Sequence, residues 1–397
     1  MPGAINKAEH KLELADIFNE HADGYIQKYR PTVNQMKVIS AIRACRTKTL
    51  GSQSYVCTDC GNILHLYNSC RNRHCPKCQY NAREKWLGNR KKELLPVKYF
   101  HLVFTVPSGL HEIALFNNKL FYEVLFSAVN HTLSVFADDA KWLGAKYGAI
   151  AILHTWGQNL SFHPHIHVLI PAGGISEDGM EWMDTRKNYF APVKAMSVIF
   201  RNQFCKLLSS KLDGYETDKF SDQIKRFKDI IEKEGKKSWV VFAQKAFEKP
   251  QYVIDYLGNY THRVAISNGR LIKSENGFVH FHYKDYRQDG KQKVMELPVL
   301  EFIRRFLQHV LPFRFCKIRY FGFLANRFKN RNLSIARENL ETQNGTNNVL
   351  CQNIEELLSE TRLPTDIVLH RCPCCQGKLI PMNLINETDR KAQENSS

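Results

Sequence analysis

His163-Pro-His165-Ile-His167-Val-Leu-Ile170 is the stretch that decides how the middle of the chain folds. In a strand, side chains alternate between two faces, so His165 and His167 are expected on one face and Ile166 on the other. Two imidazoles placed in this way are ready ligands for a divalent metal ion. The alternative is a pair of packed or exposed histidines without a ligand role.

A second apolar run, residues 149–156, precedes the histidine strand and is separated from residues 165–170 by only eight residues, 157–164. This spacing predicts an antiparallel hairpin. Across it, His154 can present a third metal ligand, with Gln158 as the alternate. We expect His163, just before a proline, in the turn.

Paired tyrosines follow in the segment Tyr256-Leu-Gly-Asn-Tyr260-Thr-His262-Arg263. Tyr256 and Tyr260 are at i and i+4, on one face of a helix. A buried aromatic stripe is the alternative, but the polar neighbours make this a poor core helix. A phenol with a pKa of ~10 is a weak nucleophile, so it needs a partner that polarises the target phosphate.

Cysteines occur in C-x2-C pairs. Cys57 and Cys60 are followed, fourteen residues later, by Cys75 and Cys78, and the four are predicted to form one tetrahedral, structural zinc site. Cys70, His65 and His74 are possible substitute ligands. Near the C-terminus, Cys372 and Cys375, with Cys374 between them, give a third C-x2-C pair without an obvious partner pair, although Cys351 and His370 could contribute. Metal binding by this third pair is left open.

Positive charge is concentrated in two stretches. The formal net charge is +17; residues 71–98 carry nine Lys/Arg against two Glu, and residues 304–337 carry nine Lys/Arg and no acid. Phenylalanines and tyrosines interleave with the second stretch. Basic side chains can bind the phosphates of a nucleic acid, and aromatic rings can stack on its bases, so the pattern favours a nucleic-acid partner. The alternative is a helix whose basic face is exposed to solvent and whose aromatic residues lie in the core. The candidate DNA-binding residues are Arg71, Arg73, Arg90, Lys91, Lys92, Arg263, Arg314, Lys317, Arg319 and Arg327.

The composition excludes several classes of protein. With 397 residues, 43% hydrophobic and 24% charged, the chain is typical of a folded protein of two to three domains. No apolar run approaches the ~20 residues of a membrane span, and the N-terminus is not typical of a signal peptide. Disulfide scaffolds and membrane partners are therefore not expected.

Strand-like and helix-like segments mix along the chain, which predicts an α+β fold with a mostly antiparallel sheet. We divide the chain into a helical region (1–54), a zinc-binding module (55–95), a catalytic domain (96–300), a basic aromatic DNA-binding region (301–340), and a linker with the C-terminal cysteine motif and a disordered tail (341–397).

Four motifs together resemble the rolling-circle transposases of the insertion-sequence-91 family, which belong to the HUH (His-hydrophobe-His) endonucleases. They are HPHIHVLIPAGG, YLGNYTHRVAISN, SCRNRHCPKCQ and RYFGFLANR, and the resemblance covers roughly residues 15–335. It implies a five-stranded antiparallel HUH core flanked by helices. It also implies Mg²⁺ or Mn²⁺ on His165, His167 and one further polar ligand, with Tyr256 and Tyr260 as nucleophiles of the two-tyrosine form.

The resemblance implies that the protein nicks and joins single-stranded DNA at element ends and target site through a 5′-phosphotyrosine, without a nucleotide cofactor. We expect it in the bacterial cytoplasm, associated with the nucleoid. A replication initiator or relaxase would use the same chemistry. A histidine-triad nucleotide hydrolase fits His163-x-His165-x-His167 but leaves the tyrosines and the charge unexplained. A non-catalytic zinc-dependent DNA-binding protein is the third alternative.

Overall fold

The computed structural model describes residues 11–217, 220–247, 252–253, 258, 264–285, 288–344 and 371–382. The chain divides into two compact units, and neither is continuous in sequence. Unit 1 contains Met1–Lys85, His262–Leu307 and Arg362–Ser397, and unit 2 contains Trp86–Thr261 and Gln308–Thr361.

Runs of helices and runs of strands follow one another along the described residues, as expected for an α+β protein. The helices are α1 (Leu14–Tyr29), α2 (Val33–Ala44), α3 (Pro76–Lys91), α4 (His111–Phe116), α5 (Asn118–Asp138), α6 (Val193–Asp213), α7 (Ser221–Gly235), α8 (Val299–Gln308) and α9 (Lys329–Asn344). The strands are β1 (Ser52–Cys57), β2 (Ile63–Tyr67), β3 (Tyr99–Thr105), β4 (Lys146–Trp156), β5 (Phe162–Pro171), β6 (Gly173–Ile175), β7 (Trp182–Asp184), β8 (Val241–Phe247), β9 (Leu271–Glu275), β10 (Phe278–Asp285), β11 (Lys291–Pro298), β12 (Ile318–Gly322) and β13 (Leu379–Pro381).

Unit 2 is built on an antiparallel sheet in the order β7-β6-β4-β5-β3-β8, with β12 also paired to β4. The predicted β4–β5 hairpin is present and pairs Ile152 with His167 and His154 with His165. The sheet has seven described strands, so the predicted count of five is corrected. The extra hairpin β6–β7 forms because Gly173 leaves room for the Trp182 indole, which a Cβ would meet at 2.5 Å.

One face of this sheet packs against helices. Ile166, Val168 and Ile170 of β5 belong to a buried cluster with aromatic residues of α5, α6 and α7. Burial of such side chains is the main favourable contribution to folding. Helix α5 has 21 residues and is apolar enough to cross a membrane by length and composition, but its apolar side chains lie in this core.

The opposite face carries His165, His167 and Leu169. It is covered by a second cluster, which contains residues from the end of α3, from the segment 94–97 and from α9. The two faces of the unit 2 sheet therefore differ. Helices α5 to α7 pack on one face, and the histidines lie on the other.

Unit 1 brings together the two ends and a middle segment of the chain. Helix α2 begins at a capping box, in which Thr32 Oγ1 accepts from the Gln35 amide at 3.3 Å. Phe18 of α1 contacts Phe306 of α8 at 5.6 Å between ring centroids. The sheet β11-β10-β9 and the sheet β13-β1-β2 complete the unit.

The division into five consecutive segments differs from these units. Residues 264–300 were predicted to belong to the catalytic domain, but they lie in unit 1, where the Leu14 amide donates to Asn268 Oδ1 at 3.2 Å. The basic stretch 301–340 is divided between the units. Contacts of this middle segment with the N-terminal helices, such as that of Phe306 with Phe18, are consistent with this assignment.

Candidate functional site

Three histidines converge on the face of the unit 2 sheet that lies opposite helices α5 to α7. His165 and His167 lie on β5 and His154 lies on β4, and the ligand atoms of all three are within 4.8 Å of one another. His154 is 4% exposed and His167 is 7% exposed, so two of the rings are almost fully shielded from water. The structure therefore brings together the three histidines that the sequence identified as candidate ligands.

Hydrogen bonds fix the direction of the His165 ring. Its Nδ1 donates to the backbone carbonyl of His163 at 2.7 Å, because a carbonyl can only accept. The neutral ring then has its lone pair on Nε2, which faces Nε2 of His167 at 3.1 Å. His163 lies in β5 rather than in the predicted turn, and this position allows its carbonyl to orient His165.

His101 on β3 orients the His167 ring, and sequence reasoning missed it. Gln244 Oε1 accepts from His101 Nδ1 at 3.2 Å, so His101 Nε2 accepts the proton of His167 Nδ1 at 3.1 Å. These two hydrogen bonds leave the lone pair of His167 on Nε2, directed at His165. A histidine in the middle of the apolar run 99–106 is the sequence signal that points to it.

Burial keeps these rings neutral. Loss of hydration lowers the pKa of His101 and of His165 to about 4 and holds the pKa of His167 well below its usual value. A neutral imidazole with a free lone pair is the form that binds a metal ion. The nitrogen donors of His154, His165 and His167, which lie close together, therefore fit a divalent cation. Gln158, in the β4–β5 loop, stays the alternate ligand.

Trp156 and His309 contact the turn end of the β4–β5 hairpin and fix its position. His154 stacks on Trp156 with 5.0 Å between ring centroids. His309 is fully buried and donates from Nε2 to the carbonyl of Leu160 at 3.2 Å, while Thr155 Oγ1 lies 3.3 Å from its Nδ1. Leu160 has a φ of +61°, so this hydrogen bond helps to fix a strained turn.

The nucleophile candidates Tyr256 and Tyr260 lie outside the described residues, as does Arg263. Two residues just before them are described: Tyr252 is 53% exposed and Val253 is fully buried. Val253 belongs to the cluster that contains Leu169 and Ile152. Since Leu169 shares a face of β5 with the histidines, Val253 packs on the histidine face of the sheet.

The predicted grouping of Cys57, Cys60, Cys75 and Cys78 into one zinc site is wrong. Cys75 and Cys78 cluster with Cys45 and Cys70, and Cys57 and Cys60 cluster with Cys372 and Cys375. The reason is that β1, which ends at Cys57, pairs with β13 near the C-terminal cysteines. Cys75 and Cys78 instead lie at the start of α3, beside Cys45 at the end of α2.

In the first of these clusters the sulfur atoms lie 3.5 Å (Cys45–Cys78) and 3.6 Å (Cys70–Cys78) apart. Four thiolates at a Zn–S distance of about 2.3 Å would be about 3.8 Å apart, so the arrangement fits tetrahedral zinc. Hydrogen bonds from the Cys70 and Cys75 thiols hold the pKa of Cys78 well below its usual value. Cys70 was foreseen as a substitute ligand, and Cys45 was missed.

The candidate DNA-binding residues differ in exposure. Arg71, Lys92, Arg314 and Arg327 are exposed, and Arg73 and Lys91 are half-buried. Lys317 is only 7% exposed. Arg90 is paired with Glu93 at 2.5 Å and with the Tyr320 hydroxyl at 2.9 Å, and Arg319 stacks on Phe126 at 4.3 Å.

These contacts correct part of the expected footprint. Arg90 and Arg319 are engaged within the fold and Lys317 is buried, so these three side chains are poorly placed to follow a phosphate backbone. Phe306, Phe315 and Phe323 are buried core residues, whereas Phe313 and Phe328 are 69% and 51% exposed. Each of these exposed rings lies beside an exposed guanidinium, Arg314 at 5.1 Å and Arg327 at 5.0 Å.

Comparison with known proteins adds two family matches. A family model described as "Putative transposase" matches residues 148–332, which include the histidine strand. A second model, described as a transposase zinc-binding domain, matches residues 17–106, which include all four cysteines of the Cys45 cluster.

Two relatives align over most of the chain. One is the "Putative transposase y4qJ" of Sinorhizobium fredii, 42% identical over 94% of this chain and 96% of the relative. The other is the transposase for insertion sequence element IS801 of Pseudomonas savastanoi pv. phaseolicola, 29% identical over 74% of this chain and 71% of the relative. No solved structure matches the chain.

Proposed function

Because this chain belongs to the transposases of the insertion-sequence-91 family, we propose that it nicks and joins single-stranded DNA at the ends of an insertion element through a covalent 5′-phosphotyrosine. A transposase acts on DNA, and family membership favours this function over a replication initiator or a relaxase. The convergence of His154, His165 and His167 is the single observation that carries the proposal.

The three histidines would hold Mg²⁺ or Mn²⁺ through nitrogen atoms, with Gln158 as the alternate third ligand. When bound, such an ion takes up negative charge on the non-bridging oxygens of a phosphodiester. The chain's own contribution is orientation: the His163 carbonyl and His101 direct two Nε2 lone pairs at the same point. A site already shaped in this way needs little reorganisation when the ion and the strand bind.

Tyr256 or Tyr260 would attack the scissile phosphorus. The bond from the phenol oxygen to phosphorus forms, the bond to the 3′ oxygen breaks, and the leaving strand takes a proton to become a 3′-OH. The energy of the broken ester is kept in the phosphotyrosine, so strand joining needs no nucleotide cofactor. The second tyrosine would attack the next strand while the first is still linked to DNA.

Zinc would have a structural role in the N-terminal region. Cys45, Cys70, Cys75 and Cys78 fill the four positions of a tetrahedron and leave none open for chemistry. Arg71 and Arg73 lie between two of these ligands in sequence, so a metal there would stabilise a basic loop. We propose that this loop contacts single-stranded DNA and that the protein works at the bacterial nucleoid.

Exposed pairs of a guanidinium and a phenyl ring would bind the strand. Arg314 beside Phe313 and Arg327 beside Phe328 combine a charge for phosphate with a face for base stacking. Lys91 and Lys92 would add charge, and Arg263 adjoins the tyrosine segment in sequence.

The test is formation of a covalent adduct. The protein is incubated with Mn²⁺ and with oligonucleotides from the element ends, which carry a label on the 3′ side of the cleavage site. A denaturing gel then separates the covalent protein–DNA adduct from free oligonucleotide. Wild type should retain the label on the protein, and the variant Y256F/Y260F should not. Tyr252→Phe is the matched control, since Tyr252 is exposed and lies four positions before Tyr256 in the sequence; it should form adduct like wild type.

Adduct in the double variant would overturn the assignment of the nucleophiles. Binding of DNA by wild type without any Mn²⁺-dependent nicking would support a non-catalytic DNA-binding protein instead. Metal-independent hydrolysis of nucleotide phosphoramidates would support the histidine-triad class.

A further inference from the structure

We propose that the C-terminal segment Arg371–Met382 closes a second zinc site with the N-terminal hairpin, through Cys57, Cys60, Cys372 and Cys375. The four residues lie within unit 1, and their ligand atoms are all within 4.8 Å of one another. Half of the ligands lie outside residues 17–106, which the zinc-binding family model matches. The proposal is independent of the nicking chemistry.

The sulfur distances fit one ion. Cys57 Sγ lies 3.4 Å from Cys375 Sγ, and Cys60 Sγ lies 3.7 Å from Cys372 Sγ. These distances are far longer than a disulfide bond of about 2.05 Å. They are close to the edge of a tetrahedron of four thiolates around zinc, about 3.8 Å.

The two C-x2-C turns have the same backbone structure, which is a separate observation. In the first turn, the Cys57 amide donates to the Asn62 carbonyl at 3.0 Å, and the Gly61 amide donates to the Cys57 carbonyl at 3.0 Å. Gly61, four residues after the first cysteine, has a φ of +68°.

The second turn repeats this pattern at the same offsets. The Cys372 amide donates to the Gly377 carbonyl at 2.7 Å, and the Gln376 amide donates to the Cys372 carbonyl at 2.9 Å. Gln376, at the position equivalent to Gly61, has a φ of +64°. Two equivalent turns that face each other are the arrangement expected when each supplies two ligands to one ion.

The two turns are also joined directly. The Thr58 amide donates to the Lys378 carbonyl at 3.0 Å, and β1 continues into antiparallel pairing with β13, with Cys57 opposite Leu379. A Cβ on Gly377 would meet Asp59 Oδ2 at 2.5 Å, so the approach of the turns depends on glycine there.

Little apolar packing is available to hold this segment. The local cluster contains only Cys57, Cys372 and Leu379 as buried members, with Tyr55 and Leu64 against it. Small elements with so little core are generally held by a metal or a disulfide. Zinc would therefore fasten the C-terminal segment to the hairpin β1–β2.

The experiment counts zinc in the full-length protein purified under reducing conditions. Wild type should contain one more zinc ion per chain than the variant C372S/C375S, because the variant keeps only the Cys45 cluster of the two cysteine clusters. Cys374→Ser is the matched control, because Cys374 lies in the same turn but outside the cluster; it should keep both ions.

Alkylation of wild type provides a second measurement that does not depend on a variant folding. Cys375 should react with maleimide on the order of tenfold more slowly than Cys374, although both are exposed, and chelation of zinc should remove the difference. Equal zinc content in wild type and C372S/C375S, equal reactivity of Cys374 and Cys375 in the zinc-loaded protein, a Cys57–Cys375 disulfide, or loss of both ions in C372S/C375S would each overturn the proposal.

Discussion

The Nε2 atoms of His165 and His167 lie 3.1 Å apart, and both rings carry their proton on Nδ1, because the His163 carbonyl and His101 accept it. Two lone pairs that face each other at this distance repel unless a cation or a proton lies between them. Burial disfavours the proton, so the geometry is adapted to a metal ion.

Replacing His101 by alanine should weaken metal binding more than it weakens folding. Loss of the acceptor for His167 Nδ1 frees the ring to turn, and such supporting partners contribute about 10- to 100-fold in metal affinity or activity. The Mn²⁺ concentration for half-maximal nicking should rise by that factor, and the rate at saturating Mn²⁺ should change less. His131→Ala, at an exposed position of α5, is the control. An unchanged Mn²⁺ requirement in His101→Ala would show that His101 does not position His167.

Mn²⁺ should support nicking at lower concentration than Mg²⁺. Mg²⁺ is a hard ion that prefers oxygen ligands, whereas three imidazoles supply only nitrogen. Titrating EDTA-treated protein with each ion should give half-maximal concentrations that differ on the order of tenfold. Equal requirements would indicate that an oxygen ligand, such as Gln158, replaces His154 in the active protein.

The variant His309→Phe should flatten the pH dependence of stability. Burial lowers the pKa of His309 to about 4, below the value of ~6.5 expected in the unfolded chain. The neutral ring therefore stabilises the fold fully above pH ~6.5, and this contribution is lost as the pH falls through 4. It amounts to about 3 kcal/mol, and urea unfolding of wild type and variant at several pH values measures it. Parallel curves for the two proteins would contradict the assignment.

Replacing Gly322 by alanine should destabilise unit 2 strongly. Gly322 has a φ of +57°, and a Cβ there would overlap the carbonyl oxygen of Tyr147 on the paired strand β4. We expect a loss of at least about 2 kcal/mol in the free energy of unfolding.

The matched control for this change is Gly179→Ala. Gly179 also has a positive φ, +81°, but open space lies where its Cβ would be. It should lose only the ~1 kcal/mol that left-handed backbone costs an alanine. Denaturant unfolding of both variants separates the two causes, and equal losses would mean that the overlap with Tyr147 is relieved.

Exposed arginines should control the salt dependence of DNA binding. The variant R314Q/R327Q should reduce the slope of log affinity against log salt by about 0.7 for each lost phosphate contact on a single strand. Arg319→Gln should instead lower the melting temperature, since its guanidinium packs on Phe126. Binding titrations at several salt concentrations measure the slope, which should stay the same if neither Arg314 nor Arg327 contacts DNA.

Local patterns predicted the histidine site well. The alternation of His165, Ile166 and His167 and the short distance to His154 are sufficient to predict the hairpin and the face that the rings share. His101, which the sequence did not identify, lies on β3. No nearby sequence signal shows that β3 will pair with β5. The extra hairpin β6–β7 also depends on a contact, that of Trp182 with Gly173, that neither residue type reveals alone.

The cysteines show the limit of reasoning from spacing. Cys57-x2-Cys60 and Cys75-x2-Cys78 lie at nearly the right separation for one zinc site, yet the backbone sends each pair to a different partner. Cys45 is single and distant in sequence from the other ligands of its cluster, and Cys372 and Cys375 follow more than three hundred positions later. Which thiols meet depends on strand pairing and helix ends rather than on the intervals between cysteines.

Cys57 and Cys375, whose sulfur atoms are in contact, are 318 positions apart. At a synthesis rate of about 5 to 20 residues per second, a ribosome needs roughly 15 to 60 s to make the second after the first. During that interval β1 lacks its partner strand β13, and Cys57 and Cys60 lack the other two cysteines of their cluster. A message cut short before Cys372 would yield a polypeptide with His154, His165 and His167 but an incomplete unit 1, so that only translation products that include Cys372 and Cys375 would complete that unit.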